Sequence, residues 1–217
     1  MAGKIKAEDI NAKEIIDGII SAIEKNSSWL SEIDGAIGDG DHGVNMAKGF
    51  GMIGKKIEVS AASLPEALNT AGVTLLENIG GAMGPIYGTF FMRMGKVLRD
   101  REILEGNDIL NMLKGALEGV KKRGGAEEGD KTLVDSLEPA KKAYESALKE
   151  GTDVKNSIDR MIVGAKEGME NTKGMIARKG RSSRLGERSK GTIDAGAASC
   201  YLILKALFEP LKQYIHE

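Results

Sequence analysis

The sequence predicts an all-α protein, and three observations carry that prediction. Apolar residues recur at helical spacing along almost the whole chain. No stretch alternates with the two-residue period of a half-buried strand. Helix caps and glycine stops punctuate the apolar stripes. The 217 residues are enough for one well-buried core, and no linker or internal repeat divides them, so one domain over residues 1–217 is expected.

The elements follow in order. Ile15, Ile16, Ile19, Ile20 and Ile23 form the first stripe, continued by Leu30 and Ile33. Val44, Ala47, Phe50, Ile53 and Ile57 give a second helix. Ser63-Leu64-Pro65-Glu66 is a capping box with proline in the first turn, opening a third helix through Leu68, Ala71, Leu75 and Leu76. A fourth follows Pro85. A fifth runs from Asn107 through Ile109, Leu113, Ala116 and Val120, and Gly124-Gly125 closes it. The sixth covers about 132 to 150, with Pro139 either kinking it or lying early enough to be tolerated. The seventh starts near Asp153 and carries Val154, Ile158, Met161, Ile162 and Ala165; the eighth begins after Asp194 with Ile203, Leu204, Leu207 and Phe208. Eight helices in one domain is the expected architecture.

Composition narrows the function. A net charge of −1 gives no global basic field to draw nucleic acid or a membrane surface. Cys200, the single cysteine, excludes an internal disulfide and sits in an apolar run as a small core residue. The start, "MAGKIKAEDI", has no apolar run of signal-peptide length, and no apolar span of about 18 residues occurs, so a cytoplasmic protein is expected.

The glycines lie in an unusual pattern. Polar, glycine-rich connections at 34–43, 80–88, 123–132 and 177–196 follow helices 1, 3, 5 and 7. In an up-and-down bundle alternate connections share one end, so all four should meet there. The first, "AIGDGDHGVNM", places Asp39 and Asp41 on a stretch free to bend, with Asp34 just before it. Hard oxygen ligands of this kind suit Mg²⁺ or Ca²⁺; the alternative is a solvated turn whose aspartates cap the next helix. An EF-hand fails, because counting from Asp39 its sixth position is Val44 and its twelfth Phe50. "HGVN" at 42–45 opens a helix whose N–H groups favour an anion, and a phosphate beside Mg²⁺ is the natural one. His42 either contributes there or caps within the loop. "GGAMGP" at 80–85 either brings bare backbone to a ligand or allows close helix packing; it is no Walker-type loop. The last connection gathers Arg178, Lys179, Arg181, Arg184, Arg188 and Lys190 against one acid, Glu187. A solvated surface run is the ordinary explanation for such a cluster, but with the acidic loop at the same end a triphosphate bridging metal and arginine accounts for both. Nucleic acid does not, since no aromatics interleave the basic residues.

These segments resemble a known family. "DGAIGDGDHGVNM", "GGAMGPIYGTFF", "GDKTLVDSL" beside "KAYE", and "ARKGRSSRLGERSKGTIDAGAAS" are similar, in order and over nearly the whole chain, to the nucleotide-binding DhaL subunits of dihydroxyacetone kinases. The related helical domain of fatty acid kinases carries threonine where this chain has His42. The resemblance implies an eight-helix antiparallel barrel with ADP or ATP at one end. Two Mg²⁺ ions would be held by Asp34, Asp39 and Asp41. His42, Gly43, Val44, Asn45, Ala82, Met83, Gly124, Leu133, Arg181, Asp194, Ala195 and Gly196 would surround the nucleotide. It further implies a ketose substrate carried by a separate DhaK subunit, with Arg181 as the catalytic residue stabilising charge on the transferring group. Two positions depart from the family: Met83 replaces a small hydroxyl residue and Ala195 a proline. The donor is either ATP, towards which the reading leans, or a phosphocarrier protein that rephosphorylates a permanently bound ADP. A nucleotide-loaded regulatory partner of a transcription factor is the non-enzymatic alternative.

Overall fold

A computed structural model of the chain describes residues 3–57 and 63–216. Nine α-helices stand among the described residues: α1 (Ala12–Lys25), α2 (Ser27–Ile37), α3 (His42–Ile57), α4 (Leu64–Asn78), α5 (Met83–Leu98), α6 (Gly106–Gly124), α7 (Val134–Lys149), α8 (Val154–Asn171) and α9 (Ala195–Phe208). Two-residue strands β1 (Ile5–Lys6) and β2 (Ile103–Leu104) pair antiparallel. They are too short for any alternation to show in the sequence.

The helices follow one another around a closed ring. α4 packs on α5, α5 on α6, α6 on α7, α7 on α8 and α8 on α9, while α9 and α3 both return to α1. The interior is one continuous apolar cluster. The stripe read from Ile15, Ile16, Ile19 and Ile23 is buried in it, and Phe90 and Phe91 meet edge to face at 5.1 Å.

The first predicted helix is two. Asn26 (φ −103°, ψ 6°) ends α1 and precedes α2, and its Nδ2 donates to Ala22 O at 2.8 Å. An asparagine competes for backbone partners in this way, and apolar periodicity on both sides hid the break. The predicted caps formed. Ser63 N and Oγ both donate to Glu66 Oε2, at 2.9 and 2.7 Å. Gly125 adopts φ +60° and its N–H reaches Lys121 O, a left-handed stop that favours glycine. Pro139 lies in the second turn of α7, and the helix continues through it.

Candidate functional site

Four helices begin at one end of the ring. α3, α5, α7 and α9 start at His42, Met83, Val134 and Ala195, and α2 and α6 finish beside them. The polar connections therefore meet, as the alternation of glycine-rich loops predicts. They enclose a cavity of about 690 Å³ lined from 34–45, 80–87, 120–133, 179–182 and 194–196. The positive ends of several helix dipoles favour an anion in such a space.

The acidic wall is built by a helix end and a bend. Asp34 sits in the last turn of α2, where Gly38 N donates to Asp34 O at 2.5 Å, and Gly40 turns the chain at φ +73°. Asp39 and Asp41 follow, and carboxylate oxygens of Asp34, Asp39 and Asp41 lie within 4.8 Å of one another. Three anionic oxygens so close, at the negative end of α2, match the donor set that a hard divalent cation takes.

The opposite wall is basic. The segment 177–194 coils through 3₁₀ turns at Arg181–Ser189, and Lys179, Gly180, Arg181 and Ser182 reach the cavity. Arg181 pairs with Asp39 and lies 3.6 Å from Asp41. Two other cations of the segment turn elsewhere: Arg178 approaches Asp130 at 3.9 Å and Lys190 pairs with Glu187 at 2.9 Å.

Beneath the cavity a buried chain of hydrogen bonds ties α3, α5 and α9 together. His42 Nε2 lies 2.8 Å from Ser199 Oγ, which lies 2.6 Å from Tyr87 OH, and Tyr87 also donates to Gly196 O. Burial pushes the His42 imidazole down to about 4, against the pull of Asp34. It is a neutral hydrogen-bonding group at neutral pH, fixing the start of α3, rather than a cation for phosphate.

Lys131 lines the cavity and was missed by sequence reading. It is 1% exposed, stands at φ +61°, and its Nζ donates to Ser189 O at 2.5 Å, Thr192 O at 2.7 Å and Met175 O at 3.3 Å. Two carbonyls of the basic segment and one just before it thus close on one ammonium. Asp135 orders the loop before it, accepting from Gly129 N and Thr132 N at 2.5 and 2.7 Å. Burial raises the Asp135 carboxyl above its ordinary range. Within "EEGDKT" an inward lysine leaves no periodic signal.

Most residues expected around the nucleotide line the cavity: His42, Asn45, Ala82, Met83, Gly124, Leu133, Arg181, Asp194, Ala195 and Gly196. Gly43 and Val44 line no part of it. Gly43 is buried against α2, where an added Cβ would collide with Ser27 O, and Val44 is 63% exposed on the outer face of α3. Asp194 caps α9 through Ala197 N at 2.8 Å, and burial pushes its carboxyl up to about 7. Ala195 opens that helix at a position where a backbone N–H needs no intrahelical partner. Met83 puts a thioether at the cavity wall.

The DAK2 domain model matches residues 36–209. The chain is 38% identical over 188 residues to the ADP-binding subunit DhaL of a PEP-dependent dihydroxyacetone kinase from Listeria innocua, covering 86% of this chain and 89% of that one. It is 37% identical over 188 residues to the ADP-binding subunit DhaL of a PTS-dependent dihydroxyacetone kinase from Lactococcus lactis, covering 86% and 90%. The fold is shared with the dihydroxyacetone kinase of C. freundii in its native form, at TM-score 0.70 and 24% identity, over 92% of this chain and 34% of that one. The structure of that enzyme with AMP-PNP and Mg²⁺ superposes at TM-score 0.68 and 24% identity. The chain spans about a third of the length of that solved enzyme. Nothing in the relatives' names supports the lean towards ATP; both specify ADP binding and dependence on PEP or PTS. Among the described residues, no helix is long and apolar enough to cross a membrane.

Proposed function

The chain belongs to the DAK2 domain family, and from that premise we propose that, as one domain over residues 1–217, it is the ADP-binding subunit of a dihydroxyacetone kinase. In this reading it passes a phosphoryl group to dihydroxyacetone, or a similar small ketose, carried by a separate DhaK subunit. The donor is a phosphocarrier protein that recharges ADP held in the cavity, the alternative that the relatives' names favour over ATP. The single observation that carries the proposal is the facing of Asp34, Asp39 and Asp41 by Arg181 at the mouths of converging helices.

Phosphoryl transfer asks for positioning and charge neutralisation more than for a covalent catalyst. The three aspartates present oxygen ligands that fit Mg²⁺, two ions in the family pattern. When bound, Mg²⁺ supplies neutralisation of phosphate oxygens. The other contributions come from the chain itself. The helix starts at His42, Met83 and Ala195 line the cavity and bring the positive ends of their helix dipoles to it. Arg181, as the catalytic residue, faces the transferring group and offsets the charge that gathers on it. Neutral His42, held by Ser199, keeps the start of α3 in register with α9. The ketose hydroxyl and any base that takes its proton belong to the partner.

The experiment is to identify the nucleotide that co-purifies and follow its exchange against labelled ATP. Retained ADP with slow exchange is expected, with dihydroxyacetone phosphate forming only when the ketose-binding subunit and the phosphocarrier are supplied. Steady ATP-dependent product formation by the purified chain alone would overturn the proposal.

A further inference from the structure

A second and larger cleft, about 1290 Å³, runs between α4, α5 and α6. Arg93 and Lys96 line it from one face of α5, Arg99 from the residue that ends that helix, and Lys122 and Arg123 from the last turn of α6. Among the described residues, no carboxylate lies within ion-pair distance of any of the five. Their neighbour Lys121, one residue away, pairs with both Glu127 and Glu138 at 2.9 Å. The cations of the cleft are therefore left unpaired beside a chain turn whose other lysine is fully paired. Two acids share the cleft, Asp100 and Glu66, and the Glu66 carboxylate is already taken by the Ser63 cap. The floor is shallow bare backbone at Gly95 and Gly119, where an added Cβ would press on Pro65 O and on Arg93 Cγ, each at 2.8 Å.

We propose that this cleft docks an acidic polypeptide surface. Size argues against a small metabolite, since such pockets occupy roughly 300–1,000 Å³. No aromatic side chain lines the cleft, which argues against single-stranded nucleic acid. Exposed cations on a fixed helix face are what steer and register an acidic protein partner. Arg123 lines both the cleft and the nucleotide-sized cavity, so one end of the cleft adjoins that cavity. Resting on the proposed function, this assigns the docked surface to the protein that exchanges phosphoryl groups there.

The test uses the full chain, a fluorescein-labelled polyglutamate peptide, and the triple variant Lys96→Glu, Arg99→Glu, Lys122→Glu. Arg123 is left intact because it also lines the nucleotide cavity. The three replaced side chains are exposed, and a melting curve with ADP titration reports whether fold and cavity survive. Peptide affinity is expected to fall about tenfold or more in the variant and to weaken with salt, with ADP affinity unchanged. Equal peptide binding by parent and variant, or no binding by either, would overturn the docking proposal. So would displacement of the peptide by tripolyphosphate at lower concentration, or preferential binding of a single-stranded oligonucleotide. ADP binding without peptide binding refutes the docking site alone. Peptide binding without ADP binding refutes the proposed function and leaves the acidic-surface site standing.

Discussion

Arg181 Nη1 lies 3.6 Å from Asp41 Oδ2 and closer still to Asp39, so a guanidinium of the basic segment meets the carboxylates of the acidic bend across the cavity. Residues 140 positions apart in the chain are brought together because α3 and the segment before α9 both open at one end of the ring.

Replacing Arg181 with alanine is expected to leave the fold intact, since its side chain is 63% exposed. Loss of a positioned donor to developing charge lowers rate by about a hundredfold, ~3 kcal/mol. The measurement is kcat and KM with saturating partner subunit, beside a melting curve. A kcat within about threefold of the parent at unchanged stability would make Arg181 an ordinary surface residue; weakened ADP binding with kcat unchanged would make it a binding residue.

Lys131→Met tests the clamp on that segment. Three carbonyls lose their shared ammonium, and hydrogen bonds to charged groups contribute about 1.5–3 kcal/mol each before compensation by water. The expected result is a loss of roughly 2–4 kcal/mol in chemical denaturation. Proteolysis should also become faster within 172–192 than elsewhere. Cleavage at an unchanged rate there would show that the segment holds itself.

Asp194 gives a pH dependence with a definite sign. Its carboxyl is pushed up to about 7 by burial, with Asp135 adding and the Ala197 N–H and Lys131 opposing. A carboxyl raised in the folded state contributes stability that is fully present below its unfolded value, ~4, and is lost as pH climbs to about 7. Asn at this position keeps an acceptor for Ala197 N and cannot ionise. The melting temperature of Asp194→Asn relative to the parent is therefore expected to rise between pH 4 and 7, by the equivalent of about 1–3 kcal/mol, tempered because the side chain retains some solvent contact. Parallel curves would remove the burial argument.

Much of this architecture was legible in the sequence, for physical reasons. Isoleucine stripes, the Ser63–Glu66 box and the Gly125 stop are local, and each formed where it was read. The meeting of the four loops follows from alternation around the ring. The break at Asn26 was hidden, because the apolar pattern runs on through it. The close approach of α3 to α2 at Gly43, where an added Cβ would meet Ser27 O, gave no signal in the sequence. Lys131 and the His42–Ser199–Tyr87 chain are contacts between segments far apart, and no spacing rule reports which way such side chains turn.

The most direct test of the account is an ADP titration by calorimetry in Mg²⁺ and again in excess EDTA. The central claim is that Asp34, Asp39 and Asp41 need cations between their carboxylates and the phosphates, because anion against anion is repulsive. ADP affinity is expected to fall at least tenfold on removal of the metal, ~1.4 kcal/mol or more. Equal affinity in the two buffers would contradict the claim.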